Sequence, residues 1–245
     1  MTREPAVSPA LMRFAKSAND LPPAHFGTRY DATGRFLPEP GNTVVCHLEP
    51  GSATEAALAK ARARLMTMPD AGQLAFTPLA SLHMTLFQGI IEGRRRRPYW
   101  PDDQPLETAI DEMTRIYGDR LADFPGGPDF SVRVAEALPT GLTVVPASAA
   151  DDAALRIWRD ALAKRFGYRH PDHDSYVFHI TFAYVIDWLD DAELPAWQEM
   201  FDELVETIAA QAPVLQLRPP AFCSFEDMNH FEELLVLAPA AEAVG

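Results

Sequence analysis

Apolar and polar positions alternate with two different periods along this chain of 245 residues, and each change of period marks an element. Residues 1–41 read as an N-terminal extension: a helix from Pro9 to Lys16, then an irregular stretch from Leu21 to Gly41 whose aromatics point to packing on the body. TVVCHL (43–48) reads as a buried strand. Ser52 or Thr54 caps a helix that runs to about Met66, with Leu58, Ala61 and Leu65 on one face. A short strand at 73–77 and a longer one from Leu82 to Ile91 follow, then a charged loop over 92–104. The spacing of Leu106, Ile110, Met113 and Tyr117 predicts a helix from Pro105 to Leu121. PGGP (125–128) breaks the pattern before strands at 130–138 and 141–147. Further helices carry Leu155, Trp158, Leu162 and Phe166, and then Trp197, Phe201, Leu204 and Ile208. Strands are expected at 214–219, 222–226 and 231–237, the last two as a hairpin.

The order strand, capped helix, strand occurs twice. Thr43-Val44-Val45 matches Thr143-Val144-Val145 at an offset of 100, and Ala56-Ala57-Leu58 matches Ala153-Ala154-Leu155 at 97. A single duplication accounts for this, with the drift assigned to loop lengths. The expected architecture is α+β: two pseudo-symmetric lobes of antiparallel sheet with flanking helices around a central cleft. The lobes span about 42–128 and 129–212, with C-terminal strands at 213–238, all within one domain over 42–245.

Composition narrows the setting. No apolar run approaches the length that spans a membrane, and the first twenty residues lack the apolar core of a signal peptide. Cys46 and Cys223 have no metal or redox spacing and read as free, buried thiols of a cytoplasmic protein. A net charge of −14 argues against binding long nucleic acids, but leaves room for a small phosphorylated ligand in a local positive pocket.

The chemistry sits in a doubled tripeptide, His83-Met84-Thr85 and His179-Ile180-Thr181, offset by 96. Each lies in an apolar strand, so His and Thr share one face while Met84 or Ile180 points to the other. With 7 His and 22 Ser or Thr, chance supplies about 0.6 occurrences of His-x-Ser/Thr, and the apolar flanks reduce this by roughly tenfold. Two such strands facing each other offer two imidazoles and two hydroxyls to one small anion, a set of parts for metal-free chemistry on phosphorus.

A two-lobed α+β chain with one apolar-flanked His-x-Thr per lobe resembles the 2H phosphoesterase superfamily, which includes RNA ligase-like proteins and cyclic phosphodiesterases. PGNTVVCHL and LHMTLFQG are similar to a little-characterised bacterial branch of it. The stretch from Gly93 to Pro128 and the N-terminal 40 residues go beyond a minimal member, so substrate choice is not carried over. The resemblance implies a catalytic set of His83, Thr85, His179 and Thr181, and substrates such as nucleotide 2′,3′- or ADP-ribose 1″,2″-cyclic phosphates.

Opening a cyclic phosphodiester needs one group to take a proton from water and another to give one to the leaving oxygen. Histidine suits both, with its ordinary pKa near 6.5. The threonines would donate to the non-bridging oxygens. No cofactor or metal is called for, and the expected partner is a small phosphorylated nucleotide or RNA terminus. Candidate substrate-binding residues are Arg94 and Arg97 of the four-arginine run, His47 before the first helix, and Tyr176 beside the second motif. Tyr99 and Trp100 could stack on a base or pack inward. Tyr184 is expected to pack on the face opposite His179. Residues 170–174 read as a polar surface loop. Two other readings stay open: a module that binds nucleotide or phosphate without turnover, and a metal-dependent hydrolase using that loop.

Overall fold

The structure, a computed structural model, describes residues 6–237. Residues 1–5 of the N-terminal extension and 238–245 at the end of the expected domain lie outside them. In chain order the elements are α1 (Pro9–Met12), β1 (Gly41–His47), α2 (Ala53–Leu65), β2 (Leu74–Phe76), β3 (His83–Ile91), α3 (Ile110–Leu121), β4 (Val132–Leu138), β5 (Gly141–Pro146), α4 (Ala149–Phe166), β6 (His179–Thr181), β7 (Ala183–Val185), α5 (Leu194–Gln211), β8 (Ala221–Phe225) and β9 (Glu232–Val236). Seven strands make one antiparallel sheet in the order β4-β5-β6-β3-β1-β8-β9, and β2 pairs with β7 as a separate ribbon. The α+β class is as expected, with the two lobes present as the two halves of one sheet. The motif strands β3 and β6 are therefore neighbours side by side, not strands facing across a gap. Among the described residues, no helix is long and apolar enough to cross a membrane.

The repeat is tighter than the residue identities suggest. In β1–β3, Val45, Cys46 and His47 pair with Thr85, Met84 and His83. In β5–β6, Gly141, Leu142 and Thr143 pair with Thr181, Ile180 and His179. Every one of these six positions maps onto its counterpart at an offset of 96. The helix caps obey the same offset: the Ser52 hydroxyl accepts from Glu55 N–H, and the Ser148 hydroxyl from Asp151 N–H. The match at 100 is thus not a structural equivalence. The match at 97 does follow the buried helix faces, since Leu58 and Leu65 of α2 correspond to Leu155 and Leu162 of α4.

One face of the sheet is covered by helices. Cys46, Met84, Leu142 and Ile180 point into that core, with at most 2% exposure, among Leu155, Trp158 and Phe166 of α4 and Tyr117 of α3. The other face stays open near β3 and β6. A smaller apolar cluster of Val45, Ala221, Cys223, Phe225, Met228 and Phe231 packs beside the opening, together with Tyr30 and Phe36 of the N-terminal segment. Both cysteines are free and buried, as expected.

Two irregularities aim side chains into the opening. Register shifts against β1 insert an extra residue into β3 at two places. His83, Thr85, Gln88 and Ile91 consequently face the same way, although strict alternation would bury Gln88. Between β6 and β7, the N–H groups of Phe182 and Ala183 both donate to Thr140 O, and the chain changes parity there. Tyr184 turns to the open face instead of packing on the opposite one.

Other departures have local causes. Helix α3 begins at Ile110, not at Pro105. The carbonyls of Leu106 and Thr108 accept from Arg95, and that of Pro105 accepts from Trp100 Nε1, so side chains take up these acceptors. Residues 214–219 form only an isolated bridge, Leu48 to Leu217. His170 and His173 are buried at 5% and 6% exposure against Phe87, not displayed on a surface loop.

Gly141 joins the second half of the repeat to the motif strand. Its φ of +135° lies outside the range L side chains adopt, and an added Cβ would overlap the Ile180 carbonyl oxygen. Gly141→Ala is expected to lower unfolding free energy by at least about 2 kcal/mol, read from urea denaturation.

Candidate active site

The pairing of Met84 with Ile180 joins β3 to β6. Both side chains are fully buried on the helix side. Their neighbours must emerge on the other face, with His83 beside Thr181 and Thr85 beside His179. The two imidazoles occupy one diagonal of this quartet and the two hydroxyls the other. Diagonal neighbours in such a pair are roughly 7–8 Å apart, enough for one tetrahedral anion to sit between them. All four line an open cleft of about 190 Å³.

Each imidazole is held in the same way. His83 Nδ1 lies 2.6 Å from Ser81 O, and His179 Nδ1 lies 3.0 Å from Val177 O. A carbonyl can only accept, so Nδ1 carries the hydrogen in both rings. Nε2 is left as the nitrogen that can take or give a proton.

The environments differ. Part of His83 still reaches the cleft, but the Phe231 ring packs against its own, tilted by 60° with 4.2 Å between centroids. Burial pushes the His83 pKa down to about 3, and the nearby His47 and His179 add to the shift while the bond to Ser81 opposes it. His179 is exposed at the cleft edge.

Cations gather at the far end. Arg94, from the turn after β3, donates to Gln88 Oε1 at 3.1 Å and rests on the Tyr99 ring at 4.9 Å. Arg29 lies over Tyr184 at 5.2 Å and bonds Glu39 Oε2 at 2.6 Å, in a pair whose side chains are only 13% exposed. His25 completes that wall, its pKa lowered by burial and then by Arg29.

Of the residues expected from sequence, the cleft brings together His83, Thr85, His179, Thr181 and Arg94. Arg97 is elsewhere, bonding the carbonyls of Pro101 and Gln104 and pairing with Asp102 within its own loop. His47 sits opposite His83 in register, but opens into an adjoining depression with Arg218, His230 and Glu233 behind Phe231. Tyr176 is packed under the site, 4.2 Å from the Arg159 guanidinium and 6.1 Å from the His179 ring. Trp100 is buried, so it offers no stacking surface. In the 170–174 loop, His170 Nε2 donates to Gln88 O and His173 Nε2 meets Asp160.

Sequence reasoning missed His25, Arg29, Gln88 and Tyr184. The aromatics Phe26, Tyr30 and Phe36 were the available signal for the first two, since they dock the N-terminal segment: Tyr30 Oη donates to Val185 O at 2.6 Å. Gln88 and Tyr184 face the cleft only through the bulge and the parity change, which leave no mark on hydrophobic alternation.

A single antiparallel sheet that presents paired His-x-Thr strands over a cation-rimmed cleft defines a two-histidine phosphoesterase architecture. The chain belongs to the 2H phosphoesterase superfamily: residues 29–143 match the family described as 2H-phosphodiest, Domain of unknown function (DUF1868). At the level of that family it is a phosphodiesterase-type hydrolase. Its fold is also that of a crystal structure described as the conserved protein of unknown function ATU0111 from Agrobacterium tumefaciens str. C58. The two are 54% identical over 95% of this chain and 100% of that one, with a TM-score of 0.94. No curated protein matches the chain.

The depressed pKa of His83 has a consequence for stability. The folded protein binds this proton more weakly than the unfolded chain, whose imidazole titrates near 6.5. Stability contributed through His83 is therefore present above pH 6.5 and is lost as the pH falls toward about 3. In urea denaturation between pH 7 and 4, His83→Gln is expected to flatten the slope by up to about 1.4 kcal/mol per pH unit. His25, His47, His170 and His173, all shifted the same way, maintain the remaining slope.

Proposed function

We propose that the protein hydrolyses a cyclic phosphate on a nucleotide or RNA end, with its two motif histidines as general base and general acid. The observation that carries this reading is the diagonal pair of imidazoles, both with Nδ1 committed to backbone and Nε2 free. Phosphorus held between them receives water from one side and releases the ring oxygen on the other.

The unequal environments support a division of labour. Burial keeps His83 neutral at ordinary pH, so its Nε2 lone pair can accept the proton of the attacking water. The bound phosphate, being anionic, favours the imidazolium that then forms. The acid role falls to His179, which as the doubly protonated imidazolium would give its Nε2 proton to the departing ring oxygen at the exposed edge and return to the neutral, Nδ1-protonated ring. Thr85 and Thr181 point their hydroxyls at the non-bridging oxygens, where charge builds in the transition state. The two side chains provide both proton transfers, so the scheme calls for no metal.

His83→Ala and His179→Ala are each expected to lower kcat on a nucleoside 2′,3′-cyclic phosphate by about 10²–10⁴-fold, with unchanged near-UV circular dichroism. Full activity in both variants would remove the proposal. Thr85→Val and Thr181→Val should each cost on the order of 10² in kcat. Exhaustive chelation should leave turnover unchanged; loss restored by a divalent ion would favour the metal-dependent reading. Tight binding of a panel of cyclic nucleotides with no product after long incubation would identify a binding module instead.

A further inference from the structure

Arg29 and Arg94 reach the cleft from parts of the chain 65 positions apart, one in the N-terminal segment and one after β3. We propose that they form a second anion subsite, and that the substrate is a nucleotide bearing a phosphate in addition to the cyclic one, such as a 5′-phosphate or the next phosphodiester of an RNA end. This rests on the phosphodiesterase reading above and specifies the substrate class.

Charge accounting at that wall motivates it. Both guanidinium groups line the same cleft, and Arg29 disfavours the charge on Arg94. Glu39 answers Arg29. Arg94 hydrogen-bonds only neutral oxygens, Gln88 Oε1 and the Gly89 carbonyl at 3.4 Å, with Asp172 favouring its charge only through space, and its buried Nε has no partner among the described residues. A part-buried guanidinium with no hydrogen-bonded carboxylate is costly to hold, and an arriving anion that bonds it directly lowers that cost. The chain has a net charge of −14, so leaving a cation unpaired here is a local choice of sequence, not an overflow of basic residues.

Position separates this subsite from the quartet. Arg94 grips the strand at Gln88, three residues beyond Thr85 and across a bulge. At about 3.3 Å per residue that is roughly 7–10 Å further along β3. The same cleft runs on past Gln88, where Thr43 is its partner in register and Ile91 and Phe225 lie one step further, and Tyr184 offers a ring under Arg29. One phosphate cannot engage both ends, whereas two phosphates on one nucleotide can.

The test is calorimetric and needs no turnover. Adenosine 3′-monophosphate and adenosine 3′,5′-bisphosphate are titrated into the wild-type protein, Arg94→Gln and Arg94→Lys. The bisphosphate is expected to bind at least about 10-fold more tightly to the wild type, a ratio of the size two charge-assisted hydrogen bonds provide. Arg94→Gln should bring the ratio within about twofold of one, and Arg94→Lys should restore most of it. Equal affinities in the wild type, or a preference that survives in Arg94→Gln, would overturn the subsite. Failure to hydrolyse any cyclic phosphate would instead remove the proposed function and leave this binding ratio standing.

Discussion

The pairing of Met84 with Ile180 is the contact on which the site depends. It joins the two halves of the sheet at one register position, and both side chains are fully buried beneath it. A slip of one residue in either strand would drive an imidazole and a hydroxyl into the helix-covered core and expose the apolar residue. The core therefore selects the register, and the register places four polar groups on one face. Packing on the closed side determines the geometry on the open side, although no residue of the core touches the cleft.

Duplication makes this arrangement economical, and divergence makes it directional. A constant offset of 96 covers strand register, helix caps and motifs, so the quartet begins with near two-fold symmetry. Phe231 covers one imidazole, while the other is exposed. The symmetric frame suits a phosphate with two equivalent oxygens. The asymmetric surroundings suit a reaction with a distinct entering and leaving side. Around them, cations are concentrated in one cleft of a strongly acidic protein, which focuses the field there.

Much of this was legible in the sequence because it depends on period and spacing. The His-x-Thr strands, their capped helices and the antiparallel α+β character follow from alternation, cap residues and an apolar core. What escaped reading depends on departures from regularity. Leu106 has core spacing, yet Arg95 and Trp100 claim the nearby carbonyls and delay α3. Gln88 and Tyr184 reach the cleft through a bulge and a change of parity. His47 has the right face but is cut off by Phe231, a residue 184 positions away in sequence. Arg97 belongs to the same basic run as Arg94, and only the fold of the loop separates their roles.

The anchoring of both rings through Nδ1 to a carbonyl two residues upstream extends beyond this pair of histidines. In a catalytic triad a third side chain orients the imidazole, and any substitution of that side chain disables the ring. Here the orienting group is the backbone that leads into the histidine's own strand. The tautomer is written into backbone geometry, which every substitution short of a distorted strand preserves. Sequence around the motif can then drift under selection for new substrates without ever endangering the proton inventory of the site.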